Sequence, residues 1–258
     1  MKTINIWKIN TIAAAIIAGG ITLPTVATAA DATLEEVVVI GSRGAPRSVG
    51  DSPVPVDVID AEELGKAGSN DLLMQLQSAV PSLNVHLQPI SDAASMIRPG
   101  NLRGLSSDST LIMVNGKRRH RASVIAFQGG GVNDGSQGAD ISVIPSIALK
   151  RVEVLRDGAA AQYGSDAVAG VINFILDDSS EGGSLTIKSG EYSKGDGAST
   201  VVAGKIGMSL TDAGFMNLSF QMKENDATSR SMQRPDAQAL IDAGNTSIAN
   251  PVQIWGAP

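Results

Sequence analysis

Two stretches in the last third of the chain alternate so that lysine and serine or amide side chains fall on one side and apolar groups opposite. In Thr200 to Leu210, Val202, Gly204, Ile206, Met208 and Leu210 fall on one side, and Val201, Ala203, Lys205, Gly207 and Ser209 on the other. In Phe215 to Lys223, Met216, Leu218, Phe220 and Met222 oppose Asn217, Ser219, Gln221 and Lys223. A period of two predicts strands with one apolar and one polar face. A soluble sandwich and the wall of a membrane barrel both satisfy that pattern. The connections favour the barrel: Thr211-Asp-Ala-Gly214 is a short turn, whereas Ser189 to Ser199 and the tail after Glu224 are longer and polar. With a first strand around Ser184 to Lys188, this is the short-turn, long-loop asymmetry of outer-membrane barrels.

Upstream the texture is globular. Val54, Val56 and Val58 alternate in a proline-bearing run that suits an edge strand. Leu72, Leu73 and Leu76 form one face of a helix capped by Ser69 or Asn70 and stopped near Ala79 by Pro81. A strand is expected at Leu83 to Leu87, and another at Leu111 to Val114, which enters a tight Asn115-Gly116 turn of the positive-φ kind. Gln128 to Gly135 is too glycine-rich to order cheaply. Pro145 opens one helical turn before a strand at Arg151 to Leu155, and Pro235 to Ala243, bounded by Gly244, reads as a small loop helix.

The first 29 residues set the compartment. Lys2 and Lys8 precede an apolar run from Ile12 to Leu23, and Ala27-Thr28-Ala29 fits a cleavage site, the pattern of a secretory signal. Gly19, Gly20 and Pro24 interrupt the run, which falls short of the roughly 20 residues a spanning helix needs. An exported chain can still enter a membrane as strands.

Composition removes several function classes. The net charge of −6 offers no positive field for nucleic acid. The absence of cysteine removes thiol catalysis and thiolate metal sites. His86 and His120 lack spaced ligand partners, so neither a metal nor another cofactor is expected. Ser165-Asp166 has no triad context, and the spacing of Gly158, Gly164 and Gly170 fails the nucleotide-loop patterns. The chain is not expected to be an enzyme, and a periplasmic hydrolase using Asp or His lacks a residue to nominate.

Two segments stand out as interaction sites. Leu34, Glu35, Glu36, Val37, Val38, Val39 and Ile40 carry a β-branched run inside a polar arm, Ala30 to Ser52. Such a run either joins its own domain's sheet or adds to the exposed edge of another protein. Lys117, Arg118, Arg119 and Arg121 form a basic cluster after the Asn-Gly turn, either solvated or offered to an anionic solute or to barrel carboxylates.

Leu34-Glu-Glu-Val-Val-Val-Ile-Gly-Ser-Arg43, Ser52-Pro-Val-Pro-Val-Asp-Val-Ile59, Leu102-Arg-Gly-Leu105, Thr110-Leu-Ile-Met-Val-Asn-Gly116, Ile144-Pro145 and the block Arg151 to Ile175 together resemble TonB-dependent outer-membrane receptors. The resemblance implies an α+β plug domain with a small mixed sheet, followed by the first antiparallel strands of an incomplete transmembrane β-barrel. It implies a signal peptide at 1–29, a TonB box and linker at 30–52, a plug at 53–178 and a partial barrel at 179–258. Residues 34–40 would be the TonB box, paired as a strand with a TonB-type energy-coupling protein. Arg103 and Arg156, with Glu153 beside them, would be the plug's lock against barrel glutamates. The other partners implied are a small-molecule solute, such as an iron chelate, cobalamin or an oligosaccharide, and outer-membrane lipid, with plug and TonB box facing the periplasm.

Three strands cannot close, since bacterial barrels need at least about 8 and plugged transporters about 22. The chain is therefore expected to be the front of a larger receptor or a truncated product. The rival is a soluble periplasmic plug-like binding or signalling module. It requires the region after Gly183 to have both sheet faces covered by protein.

Overall fold

The computed structural model describes residues 37, 38, 40, 47, 48, 55–85, 97–126, 131–211, 214–228 and 234–245. Two architectures follow one another along the chain: a mixed five-stranded sheet with small helices, then three long antiparallel strands.

The mixed sheet contains β3 (Val56–Asp60), β6 (Thr110–Val114), β7 (Lys117–Arg118), β8 (Leu149–Leu155) and β9 (Gly170–Leu176), in the order β3-β8-β9-β6-β7. Only β6 and β9 are parallel. β3 is an edge strand, as its proline-flanked sequence suggested, and pairs only with β8. The central strands are buried on both faces, which explains their near-continuous Val, Ile and Leu content. On one face Ile112, Val152, Val154, Ile172 and Phe174 pack with Leu72, Leu73 and Leu76. On the other, Leu111, Met113, Leu155 and Val171 pack with Val56, Ala159, Ala167 and Ile40.

Two short helices cover the first face: α1 (Ala61–Lys66) and α2 (Leu72–Ala79). The cap of α2 is Asp71, whose carboxylate accepts hydrogen bonds from the N–H groups of Leu73 and Met74 at 3.1 and 3.4 Å. Ser69 lies two residues back, its Oγ accepting from Asp71 N at 3.1 Å. The cap is thus one residue beyond the sequence expectation of Ser69 or Asn70. After α2 a two-stranded ribbon forms from β4 (Leu83–Val85) and β5 (Gly100–Leu102).

The Asn115-Gly116 turn has φ of 49° and 74°, the left-handed pair that a two-residue hairpin needs. It also hooks onto β9, because Asn115 N donates to Phe174 O and Leu176 N donates to Asn115 Oδ1, both at 2.9 Å. Part of the glycine-rich loop is firmly held. Asn133 is fully buried and shares a reciprocal amide pair with Asn101, and its Oδ1 also accepts from Ser107 N at 3.0 Å.

The three long strands are β10 (Gly183–Gly190), β11 (Ser199–Thr211) and β12 (Gly214–Asn225), paired in sequence order. Among the described residues, no strand pairs with either edge of their sheet. A last helix, α3 (Pro235–Asp242), begins at proline and is followed by Gly244 at φ 86°.

Candidate functional site

The arm meets the plug at a single described side chain. Val37–Val38 (β1) pairs antiparallel with Arg47–Ser48 (β2) of the same chain. Ile40 is 1% exposed and lies in the cluster with Val56, Leu111, Met113, Leu155 and Val171. Leu34, Glu35, Glu36 and Val39 lie outside the described residues.

Arg103, Glu153 and Arg156 are not brought together. Glu153 is fully buried on β8, where its Oε1 accepts from Nε and Nη2 of Arg151 at 3.0 and 2.9 Å. Residues two apart on a strand share a face, so this pairing follows from the alternation. Asn173 Nδ2 donates to Glu153 Oε2 at 3.1 Å, and Asn173 Oδ1 accepts from Gly116 N at 2.9 Å, which carries the polar chain to the hairpin turn. Arg156 pairs with Asp57 on the neighbouring edge strand, at 2.5 Å. Arg103, at φ 57°, lies 3.8 Å from Asp157. Both arginines are about half exposed, with guanidinium groups free to take a further carboxylate.

The basic hairpin is split. Arg118 is bound to Asp166 and to the Tyr163 carbonyl, while Lys117 and Arg121 are exposed. Arg119 is half-buried, its backbone N–H bonded to Ile112 O at 2.8 Å and its Nε without a partner.

The hydrogen bonds and ion pairs between the plug and the three strands include Asp71 and Asp177, which the sequence reading did not single out. Asn70 Nδ2 donates to Ser199 Oγ at 3.0 Å. Asp71 binds Arg98 at 2.5 Å and Lys223 of β12 at 3.5 Å. Burial pushes the Asp71 carboxyl up, but the Arg98 hydrogen bond, the Arg98 and Lys223 charges and the Met74 N–H outweigh it and hold the group below its ordinary range. Asp177 is likewise lowered: burial opposes, while Lys205 and the Ser179 donors prevail. The signal for Asp71 was its place immediately before the first apolar helical residue. Lys205 and Lys223 were already on the polar side of the alternation.

That alternation resolves into two unlike faces. Val201 and Ala203 of β11 are turned to the plug and are 6% and 4% exposed. Leu185, Ile187, Ile206, Leu218, Phe220 and Met222 share the opposite face and are all exposed, Ile187 by 69% and Met222 by 70%. No described residue covers this face. Isolated exposed apolar side chains are ordinary, but a contiguous sheet of them marks contact with protein or lipid.

With this geometry in view, residues 48–171 match the family described as the TonB-dependent Receptor Plug Domain. The chain belongs to the TonB-dependent receptors, matching their N-terminal plug region. It is 30% identical over 175 residues to the ferric enterobactin receptor of Pseudomonas aeruginosa, covering 67% of this chain and 23% of that protein. It is 29% identical over 153 residues to the vitamin B12 transporter BtuB of Photobacterium profundum, covering 59% of this chain and 22% of the other. A crystal structure of a variant of the ferric enterobactin receptor PfeA from Pseudomonas aeruginosa, in complex with enterobactin, superposes with a TM-score of 0.53 at 26% identity, covering 67% of this chain and 25% of that one. The chain thus spans about a quarter of these receptors' length. Its localisation is the cell outer membrane. These relatives are receptors and transporters by name rather than enzymes.

Proposed function

We propose that this TonB-dependent receptor chain serves energised uptake of a scarce solute through a plugged barrel. An iron chelate is the first class to test, cobalamin the second and an oligosaccharide the third. The observation that supports the reading most is the pair of faces on β10 to β12: lysine, serine and glutamine with the small Val201 and Ala203 against the plug, and large exposed apolar side chains outside. A lipid-facing wall around a wet interior requires that arrangement. A soluble plug-like module would leave the apolar face in water, and nothing favours it.

The division of labour follows. Residues 1–29 direct export, 30–52 form the coupling arm, 53–178 the plug and 179–258 the start of the wall, with plug and arm on the periplasmic side. Further strands complete the barrel, because open strand edges in lipid cost several kcal/mol per unsatisfied group. Residues 34–40 pair as a strand with a TonB-type coupling protein. Arg103 and Arg156 hold the plug against carboxylates of the remaining wall, and Glu153 ties β8 to β9 through Asn173. The plug performs no covalent chemistry.

The test is uptake of labelled ferric siderophores, cobalamin and oligosaccharides by cells that depend on the complete receptor, with and without proton-motive force. Force-dependent uptake of one class is expected. Val38→Pro, which removes a main-chain donor from the arm, abolishes uptake while leaving solute binding intact. Uptake of none of the classes, or uptake indifferent to the proton-motive force, would overturn the proposal.

A further inference from the structure

The plug touches the wall at two levels. At one end Asn70 meets Ser199 and Asp71 meets Lys223; at the other Lys205 binds Asp177, beside which, within the wall segment, Asn217 Nδ2 donates to Ser179 Oγ at 3.2 Å. Lys205 is six positions beyond Ser199 on β11, so the levels stand roughly 20 Å apart. Between them lies a cavity of about 520 Å³, lined by Lys66 of α1, Gln75 of α2, and Thr186, Lys188, Ala203 and Gln221 of the wall.

This seam is a cleft partly open to solvent, and it carries two unfavourable groups. Gln75 Oε1 on the plug side and Gln221 Oε1 on the wall side are buried and accept no hydrogen bond. A buried acceptor without a donor is a standing penalty that water removes once the seam parts. The buried Val201 and Ala203 and the polar contacts at the two ends oppose that penalty.

The two levels are not held alike. Asp177 and Ser179 lie on the segment that runs directly from β9 into β10, so chain connectivity keeps that end together. Asn70 and Ser199 are 129 residues apart, so the other end rests on non-covalent contacts. There Asp71 does three things at once: it caps α2, binds Arg98, and reaches across to Lys223. Its carbonyl also accepts the N–H of Gln75 at 2.9 Å, so Asp71 is joined directly to the residue that carries the plug's orphaned acceptor.

We infer that Asp71 is the latch of this seam: its carboxylate holds α2 against β12, and its release widens the cleft between plug and wall and uncovers Ala203. The use of that opening in transport rests on the plugged-barrel reading, whereas the latch itself does not require transport to be observed.

The chain contains no cysteine, so Ala203→Cys supplies a single thiol on the cavity wall, at a position 4% exposed. Its modification by a water-soluble maleimide is followed in isolated outer membranes. Asp71→Asn keeps an oxygen that can cap the helix but removes the charge. It is expected to speed labelling about tenfold, and Lys223→Gln a few-fold. The double variant labels no faster than Asp71→Asn alone, because both changes remove the same contact. Gln221→Met, which deletes an orphaned acceptor, slows labelling. Unchanged labelling in Asp71→Asn, or multiplied effects in the double variant, would refute the latch. If Asp71→Asn fails to accumulate, Lys223→Gln decides, since it leaves every plug residue in place. Uptake with latch-independent labelling sinks this inference alone; latch-dependent labelling without uptake sinks only the transport reading.

Discussion

Phe174 and Phe220 are both aromatic residues on strands, yet one is fully buried at the centre of the plug sheet and the other is half exposed on the outer face of β12. Alternation produced both. In the plug, apolar positions on both faces of β6, β8 and β9 meet protein, with α1 and α2 on one side and Ile40 and its neighbours on the other. In the wall, the inner positions meet the plug through Lys205, Lys223 and Ser199 beside the small apolar Val201 and Ala203, while the large apolar side chains of the outer face meet no described residue. A strand pattern therefore reports which faces are apolar, and only the partner of each face distinguishes a water-soluble core from a membrane surface.

The largest predicted effect breaks the comparison at these two rings. Phe174→Ala should cost about 3 to 5 kcal/mol of plug stability, whereas Phe220→Ala should cost under about 0.5 kcal/mol, both read by urea unfolding in detergent. Next comes charge on the wall. Ile187→Lys on the outer face should destabilise the inserted protein by about 2 to 4 kcal/mol, and Thr186→Lys, one residue away and facing the cavity, by less than about 1 kcal/mol. Membrane-extracted yield and refolding into vesicles measure both.

A smaller effect sharpens the polar side. Asp71 and Asp177 are held below the ordinary carboxylate value of 3.8, so their contribution is complete above that pH and is lost as pH falls through the lower folded values. Hydrogen exchange at α2 should therefore speed up on acidification below about pH 3.8, and Asp71→Asn should weaken that dependence. The smallest effect belongs to the exposed pair of Arg156 and Asp57. Arg156→Ala should change the stability of this chain by less than about 1 kcal/mol, while a role in locking the plug would appear only in uptake by the complete receptor.

Much of this architecture was legible before any coordinates. The edge position of β3, the Asn115-Gly116 hairpin, the helix after Pro235 and the two-faced strands all follow from local rules that tertiary contacts reinforce. What escaped depends on distance in sequence. Ile40 sits in a polar arm, and only the fold brings it to the open face of the plug sheet. Asn133 pins a glycine-rich loop because Asn101, 32 residues earlier, supplies the matching amide. Asp71 was hidden behind Ser69 and Asn70, equally acceptable capping residues, and its second role depends on a lysine 152 positions later. The arginines singled out by resemblance are on the surface in this chain, and their proposed partners lie in the rest of the wall.

Spin labels on single cysteines at successive positions of β10, from Ser184 to Lys188, test the lipid-facing wall most directly. In outer-membrane vesicles, labels at Leu185 and Ile187 should be accessible to oxygen and shielded from a water-soluble nickel chelate, with Ser184, Thr186 and Lys188 showing no such preference. Equal access of the chelate to all five positions would contradict a lipid-facing wall.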